Sequence, residues 1–230
     1  MTLPALSELI LPEGIQLIGL MGRAGTGKTT VLEYLGEAYK NVWGENFADP
    51  LKRAASQAFG IPLSHFHDRE LKEEPNEFWG VSPRQIAQFF GTELFRTTIQ
   101  DLIPASQSDF WIRRLHGLLT QTQFISETEG AYCEGDTIVI GDVRFENEAD
   151  YIFQNNGIII HLTRPQATDT VGIPNHASEQ PIFIDPKYRR NYYVVNNAGT
   201  FDSLEETIDR IIAHSCISLT PSTSSTETEI

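Results

Sequence analysis

Residues 22–29, Gly22-Arg23-Ala24-Gly25-Thr26-Gly27-Lys28-Thr29, set glycines, a lysine and a hydroxyl at the spacing G-x-x-x-x-G-K-T. Gly22, Gly25 and Gly27 permit backbone conformations that a β-carbon forbids, so successive N–H groups can converge on a phosphate at the start of a helix. Lys28 supplies a point charge for β and γ phosphates, and the Thr29 hydroxyl, followed by Thr30, suits a magnesium ion. A second group lies at Asp142-Val143-Arg144. A hydrolytic motor usually places another carboxylate beside its magnesium-holding acid, to activate water; here Asp142 is followed by Val143 and Arg144. A guanine-nucleotide switch would carry Asn-Lys-x-Asp, which the chain lacks. An Asp-x-Arg pair beside a phosphate cradle suits phosphoryl transfer to a second anionic substrate, which asks for positioning and charge neutralisation more than covalent chemistry.

The elements that must position these groups follow from hydrophobic pattern. Ile15 to Leu20 is too short and too continuously apolar for an amphipathic helix and reads as a strand buried on both faces, leading into a helix over 28–39. A short strand is expected over 42–47. Asp49 is expected to cap a helix starting at Pro50, with Lys52 in its first turn and Gly60 ending it. Residues 63–80 have no periodicity and read as irregular. Ser82-Pro83-Arg84-Gln85 has the form of a capping box opening a helix to about Ile99, and a further helix near Ser108 carries Trp111, Arg113 and Arg114. Residues 137–141 are a buried strand with Asp142 at its carboxyl end, where open α/β sheets bind ligands. A helix stopped by Gly157 and the strand IIIHLT, ending at Arg164, come next. Residues 165–190 lack a core pattern and, at that length, are expected to be a lid bringing Arg189 or Arg190 toward the phosphates. YYVV is a last strand, and Ser203 with Glu206 is expected to cap the final helix. Apolar strands alternating with helices mean a parallel sheet.

The chain has 230 residues and a formal net charge of −14, enough for one α/β domain and the wrong sign for binding nucleic acid or an anionic membrane. Twelve of its 17 basic residues are arginine, whose planar fork suits phosphate oxygens. Cys133 and Cys216 have no metal spacing and suggest no disulfide framework, which fits a reduced cytoplasm, the host's if the protein is viral. His65, His67 and Asp68 do not amount to a metal site, and no apolar stretch is long enough to span a bilayer. The end, LTPSTSSTETEI, reads as a disordered tail.

The ordered series GRAGTGKTT, FADPLK, SPRQIAQFFGTELFR, DFW, IVIGDVRFENEAD, LTRP, HASE and VVNNAGTFDSLEETI resembles the bacteriophage deoxynucleoside monophosphate kinases over about residues 14–213. SPRQ with GTE and DFW, and GDVRFENE, carry most of the specificity. The resemblance implies a three-layer α/β P-loop nucleoside triphosphate hydrolase/kinase fold with a central parallel sheet. One domain is expected over 1–214, with a helical monophosphate-binding insertion over about 61–125, a lid over about 165–190 and a tail over 215–230. It implies ATP with Mg2+ on Gly25, Gly27, Lys28, Thr29, Thr30 and Asp142, with Arg164, Asn196 and Asn197 on the adenine side. It implies a deoxynucleoside monophosphate held by Arg84 and Gln85, with Trp111 against the base and Lys52, Arg69, His176 and Glu179 as further contacts. Lys28, Asp142 and Arg144 would carry the chemistry, and a homodimer is compatible with it. The residues alone leave open a P-loop kinase for another small phosphorylated or hydroxyl metabolite, and a nucleotide-binding protein without turnover.

Overall fold

A computed structural model describes residues 3–120, 132–165 and 176–222. Five parallel strands form the centre: β1 (Gln16–Met21), β2 (Val42–Glu45), β3 (Thr137–Val143), β4 (Ile158–Thr163) and β5 (Tyr192–Asn196), in the order β2-β3-β1-β4-β5. The middle three are nearly continuous apolar runs because both faces are covered; Leu17, Ile18 and Leu20 of β1 are fully buried. Alternation sorts their side chains into two cores. Leu17, Ile138, Ile140 and Ile159 face α5 (Phe110–Thr120) and α6 (Glu146–Gln154), while Ile18, Leu20, Val139, Ile158 and Ile160 face α1 (Lys28–Ala38) and α7 (Phe201–His214). This is the expected three-layer α/β architecture with an all-parallel central sheet. β1 has β3 on one side and β4 on the other, so the turn after β1 emerges where the strand order reverses, the crevice in which such sheets bind ligands.

Between β2 and β3 the chain leaves the sheet as α2 (Asp49–Phe59), α3 (Leu63–His67), α4 (Pro83–Gln88), a π-helix over Phe89–Thr97, and α5. Of the expected insertion over 61–125, residues 121–125 lie outside the described residues; of the expected lid, so do 166–175. The rest of the lid segment contains two short 3-10 helices, Ala177–Glu179 and Pro186–Asn191, and Arg189 and Arg190 are exposed.

Four local expectations are corrected. Asp49 is the first residue of α2 and not its cap; the capping position is Ala48, which has no side chain to serve. The helix opened by Ser82 keeps α-geometry only to Gln88, then widens. Side chains take carbonyls along the widened stretch: Trp111 Nε1 donates to Gly91 O at 2.9 Å, Thr98 Oγ1 to Glu93 O at 2.9 Å and Gln100 Nε2 to Arg96 O at 2.6 Å. The final helix starts earlier than expected, capped by Thr200, whose Oγ1 accepts from Ser203 N at 3.3 Å. Residues 215–222 are placed, unlike a tail free from 215. Ile217 is buried in the α1/α7 core, the Gln16 side-chain amide exchanges two hydrogen bonds with the Ser218 backbone, and Lys40 N donates to Thr220 O at 2.8 Å. Residues 223–230 lie outside the described residues.

Candidate active site

The cradle is built almost entirely by backbone. Gly22 has φ +140°, and a Cβ there would stand 2.3 Å from Leu162 O at the end of β4; Gly27 has φ +102°, and a Cβ would stand 2.5 Å from Asn197 Nδ2. Only glycine fits at either place. The same Asn197 amide donates to Thr26 O at 2.9 Å, so the loop after β5 clamps the cradle from outside. Thr26 Oγ1 closes the turn by donating to Arg23 O at 2.9 Å. The capping position of α1, which begins at Lys28, is Gly27, which has no side chain to cap with, so the positive end of the helix dipole stands at the cradle. Lys28 Nζ curls back over the loop and donates to Gly22 O at 2.6 Å and Arg23 O at 2.9 Å.

Asp142 stands at the carboxyl end of β3. Its two oxygens accept the N–H groups of Phe47 at 2.8 Å and Ala48 at 2.9 Å. The strand-end acid thus holds the turn that leads into α2, the helix that carries Lys52. Burial pushes the Asp142 carboxyl up, opposed by the Lys52 charge, the two N–H groups and Arg144.

One cleft of about 410 Å3 joins these groups to the insertion. It brings together Lys28, Thr29, Lys52, Arg84, Trp111, Asp142 and Arg144 of the residues expected from sequence. Arg84 is buried, and its Nε donates to Glu73 Oε1 at 2.6 Å. Arg144 reaches Ser178 O through Nη1 at 3.4 Å, which brings the middle of the expected lid segment to the cleft rim. Trp111 is a wall residue: only 4% exposed, its N–H spent on Gly91 O and its ring packed on Phe95 and Phe110.

Arg69, Gln85, Thr30, Arg164, Asn196 and His176 do not line this cleft. Arg69 is exposed, with Nη2 4.0 Å from where a Cβ on Gly25 would lie, so it borders the cradle from the insertion side. Gln85 is consumed by its capping box, Oε1 accepting from Ser82 N at 3.0 Å. Thr30 is the third residue of α1; Arg164 and Asn196 are exposed just beyond Leu162 and at the end of β5. His176 is buried, its Nδ1 2.8 Å from Ser178 Oγ and its Nε2 3.4 Å from Glu93 Oε1; Glu179 ends the 3-10 helix that follows.

Sequence reading missed the buried ion pair between Arg96 and Glu148, both of which line the cleft. Glu148 also accepts from Arg144 N at 2.8 Å and Phe145 N at 3.1 Å, and the Arg96 guanidinium lies 3.8 Å from the centre of the Phe145 ring. Burial pushes the Glu148 carboxyl up to about 7, the Asp142 charge adds to the rise, and Arg96 and the two N–H groups pull it down. The sequence signal for this pair is that Arg96 stands outside the apolar stripe Ile86, Phe89, Phe90, Leu94 and Phe95 of its helix. His67 and Lys72 also line the cleft.

No protein-family model matches the chain. It is 33% identical over 204 residues to a protein of Acanthamoeba polyphaga mimivirus named "Putative deoxynucleotide monophosphate kinase", an alignment spanning 87% of this chain and 95% of that one. Among solved structures, an unliganded sugar kinase from Janibacter sp. HTCC2649 aligns with a TM-score of 0.36 and 14% identity over 88% of this chain and 95% of its own. TT1252 from Thermus thermophilus aligns with a TM-score of 0.41 and 16% identity over 87% and 98%. At such scores neither structure bears on fold or activity.

Proposed function

The chain belongs to the deoxynucleotide monophosphate kinase family of its mimivirus relative, and we propose that it transfers the γ-phosphoryl group of ATP to a deoxynucleoside monophosphate, giving the two diphosphates. The observation that carries this reading is the single cleft in which the cradle residues Lys28 and Thr29 share one space with Lys52, Arg84 and Arg144 from outside the cradle. A hydrolase needs one phosphate seat and a route for water. A kinase for phosphorylated acceptors needs two anion seats facing each other, and cations at both ends of one cavity meet that need.

In this reading a phosphate oxygen of the acceptor attacks the γ phosphorus as the bond from that phosphorus to the β–γ bridging oxygen breaks. The chain's work is to align and to neutralise. The cradle N–H groups and Lys28 hold the donor phosphates, Lys28 exchanging its loop carbonyls for phosphate oxygens. Arg84 holds the acceptor phosphate, Glu73 fixing the angle of its guanidinium, and Arg144 faces the charge that spreads over the transferring group. Magnesium fits the donor set: the Thr29 hydroxyl is exposed at the start of α1, and each Asp142 oxygen, accepting one N–H, keeps a further acceptor site for the ion or its water. Such an ion neutralises charge between the β and γ phosphates. The likeness to the bacteriophage members rests on SPRQ and GDVRFENE, whose Arg84, Arg144 and Glu148 all line the cleft.

The test is a coupled ADP-release assay with ATP and Mg2+ against each deoxy- and ribonucleoside monophosphate in turn. ADP release that depends on deoxynucleoside monophosphates is the expected result; ADP release that no monophosphate stimulates would overturn the proposal.

A further inference from the structure

We infer that Lys72, in the turn between α3 and α4, is a ligand of the acceptor phosphate and forms with Arg84 a two-cation seat for a terminal phosphomonoester. The inference rests on reading the cleft as a monophosphate kinase site.

The first support is position. Lys72 lines the cleft, and Arg84 N donates to Lys72 O at 2.9 Å, so the ammonium and the guanidinium hang from directly linked backbone. The second is charge accounting. Around the cleft Lys52 is paired with Asp49, Arg84 with Glu73 and Arg96 with Glu148, Lys28 lies on loop carbonyls, and Arg144 reaches Ser178 O. The Lys72 ammonium has no hydrogen-bond or ion-pair partner among the described residues. Its charged surroundings are Arg84, Lys52 and Arg144 against two acids, Glu73, which Arg84 engages, and the exposed Asp68. Burial depresses the ammonium first, and the Arg84 charge depresses it further.

A chain with a net charge of −14 has carboxylates to spare for a lysine whose task is structural. A half-buried cation among cations is costly to the fold and is rationalised when the counter-charge arrives from outside. A terminal phosphomonoester brings close to two negative charges and three strong acceptors. The seat belongs to the acceptor because Lys72 and Arg84 both stand on the segment between β2 and β3 that leaves the sheet, and not on the cradle loop.

Lys72→Met keeps the aliphatic stem and removes the charge; Lys72→Arg restores a cation. Calorimetric titrations with each deoxynucleoside monophosphate and, separately, with ATP read the effect without turnover. The methionine variant should bind monophosphates at least ~10-fold more weakly and ATP within ~2-fold of wild type, and the arginine variant should recover most of the loss. The melting temperature of the free methionine variant should equal or exceed that of wild type, since an uncompensated charge has been removed; a lysine holding the fold together would give the reverse. Unchanged monophosphate affinity, equal weakening of ATP, a lowered melting temperature, or a wild-type protein that binds no monophosphate would each overturn the inference. Monophosphate binding that depends on Lys72 without acceptor-stimulated ADP release would sink the kinase reading and leave this one standing. Normal ADP release with an unchanged KM for the acceptor in Lys72→Met would do the opposite.

Discussion

The two ends of the cleft are made in opposite ways. The cradle is contiguous, eight residues on one turn, and in the proposed reading its recognition groups are backbone N–H together with Lys28 and Thr29; at Gly22 and Gly27 what matters is the missing side chain. The far end is assembled from side chains on separate segments: Lys52 on α2, Lys72 in a turn, Arg84 on α4, Arg96 on the π-helix and Arg144 after β3. A backbone seat is rigid once β1 and α1 are in place, because the sheet and helix dictate it. A side-chain seat is only as rigid as the network behind it, here Glu73 behind Arg84 and Glu148 behind Arg96. Substitutions at the carboxylate-paired cations of the far end should therefore couple ligand binding to stability, whereas substitutions in the cradle should separate the two.

The largest effect is expected where that network is most deeply buried. Arg96→Met leaves the Glu148 carboxylate without its guanidinium beside Asp142, and removing one partner of a buried pair costs about 3–5 kcal/mol near neutral pH. The pH dependence gives the mechanism. The Glu148 carboxyl is raised from 4.5 to about 7 in the folded chain, so the folded state holds that proton more tightly than the unfolded one. Its contribution to stability is therefore complete below the unfolded value and is lost as pH rises through 4.5 to about 7. Without Arg96 the carboxyl rises further and the loss extends to higher pH. Denaturant unfolding should show the gap between wild type and Arg96→Met small near about pH 5 and wide near about pH 8. A gap independent of pH would mean that the lost stability is packing on the Phe145 ring and not the ion pair.

Lys28→Ala comes next and should break the comparison at the other end. Its ammonium donates to Gly22 O and Arg23 O, both on the partly open loop. Phosphoryl transfer should fall at least ~100-fold, the scale for losing a main electrostatic stabiliser, while the unfolding midpoint moves by less than the loss of Arg96 moves it. A folded variant with near-normal turnover would remove the cradle from the mechanism.

This difference in construction also sets what the sequence could reveal. β1, β3 and β4 were legible because buried parallel strands are apolar without interruption, and the cradle because all its parts lie within eight residues. The Arg96–Glu148 pair was not legible, since its partners are 52 positions apart and meet only when the π-helix packs on α6. Nor was the π-helix itself: helix propensity does not distinguish the wider turn, which is fixed by tertiary donors such as the Trp111 indole on Gly91 O. Asp49 read as a cap from sequence because the carboxylate that holds the turn before α2, Asp142, comes from β3, much later in the chain.

Arg84→Ala should have an intermediate effect. In the proposed reading it removes one charge-assisted hold on the acceptor phosphate, and it frees Glu73, one of whose oxygens already lacks a hydrogen bond among the described residues. KM for the monophosphate should rise by roughly 10-fold or more with KM for ATP little changed, in line with about 1.5–3 kcal/mol for a hydrogen bond to a charged group. Equal effects on both substrates would make Arg84 a scaffold for the insertion.

The smallest effect is expected at Gln85, next to Arg84 in sequence but different in role. Its Oε1 accepts from Ser82 N at 3.0 Å and its own N–H donates to Ser82 Oγ at 3.3 Å, so the side chain is turned back on the first turn of α4 and is not part of the cleft lining. Gln85→Ala removes one half of the capping box and leaves the Ser82 half in place. The cost should be below about 1 kcal/mol, the usual size of a helix cap. Since α4 also carries Arg84, the same variant asks whether a slightly frayed α4 still presents that guanidinium. With Glu73 fixing Arg84 from outside the helix, KM for both substrates should stay within about 2-fold of wild type, less than half a kcal/mol. A several-fold rise for the monophosphate at unchanged stability would show Gln85 leaving its cap to reach the acceptor, and would move this residue from the scaffold to the seat.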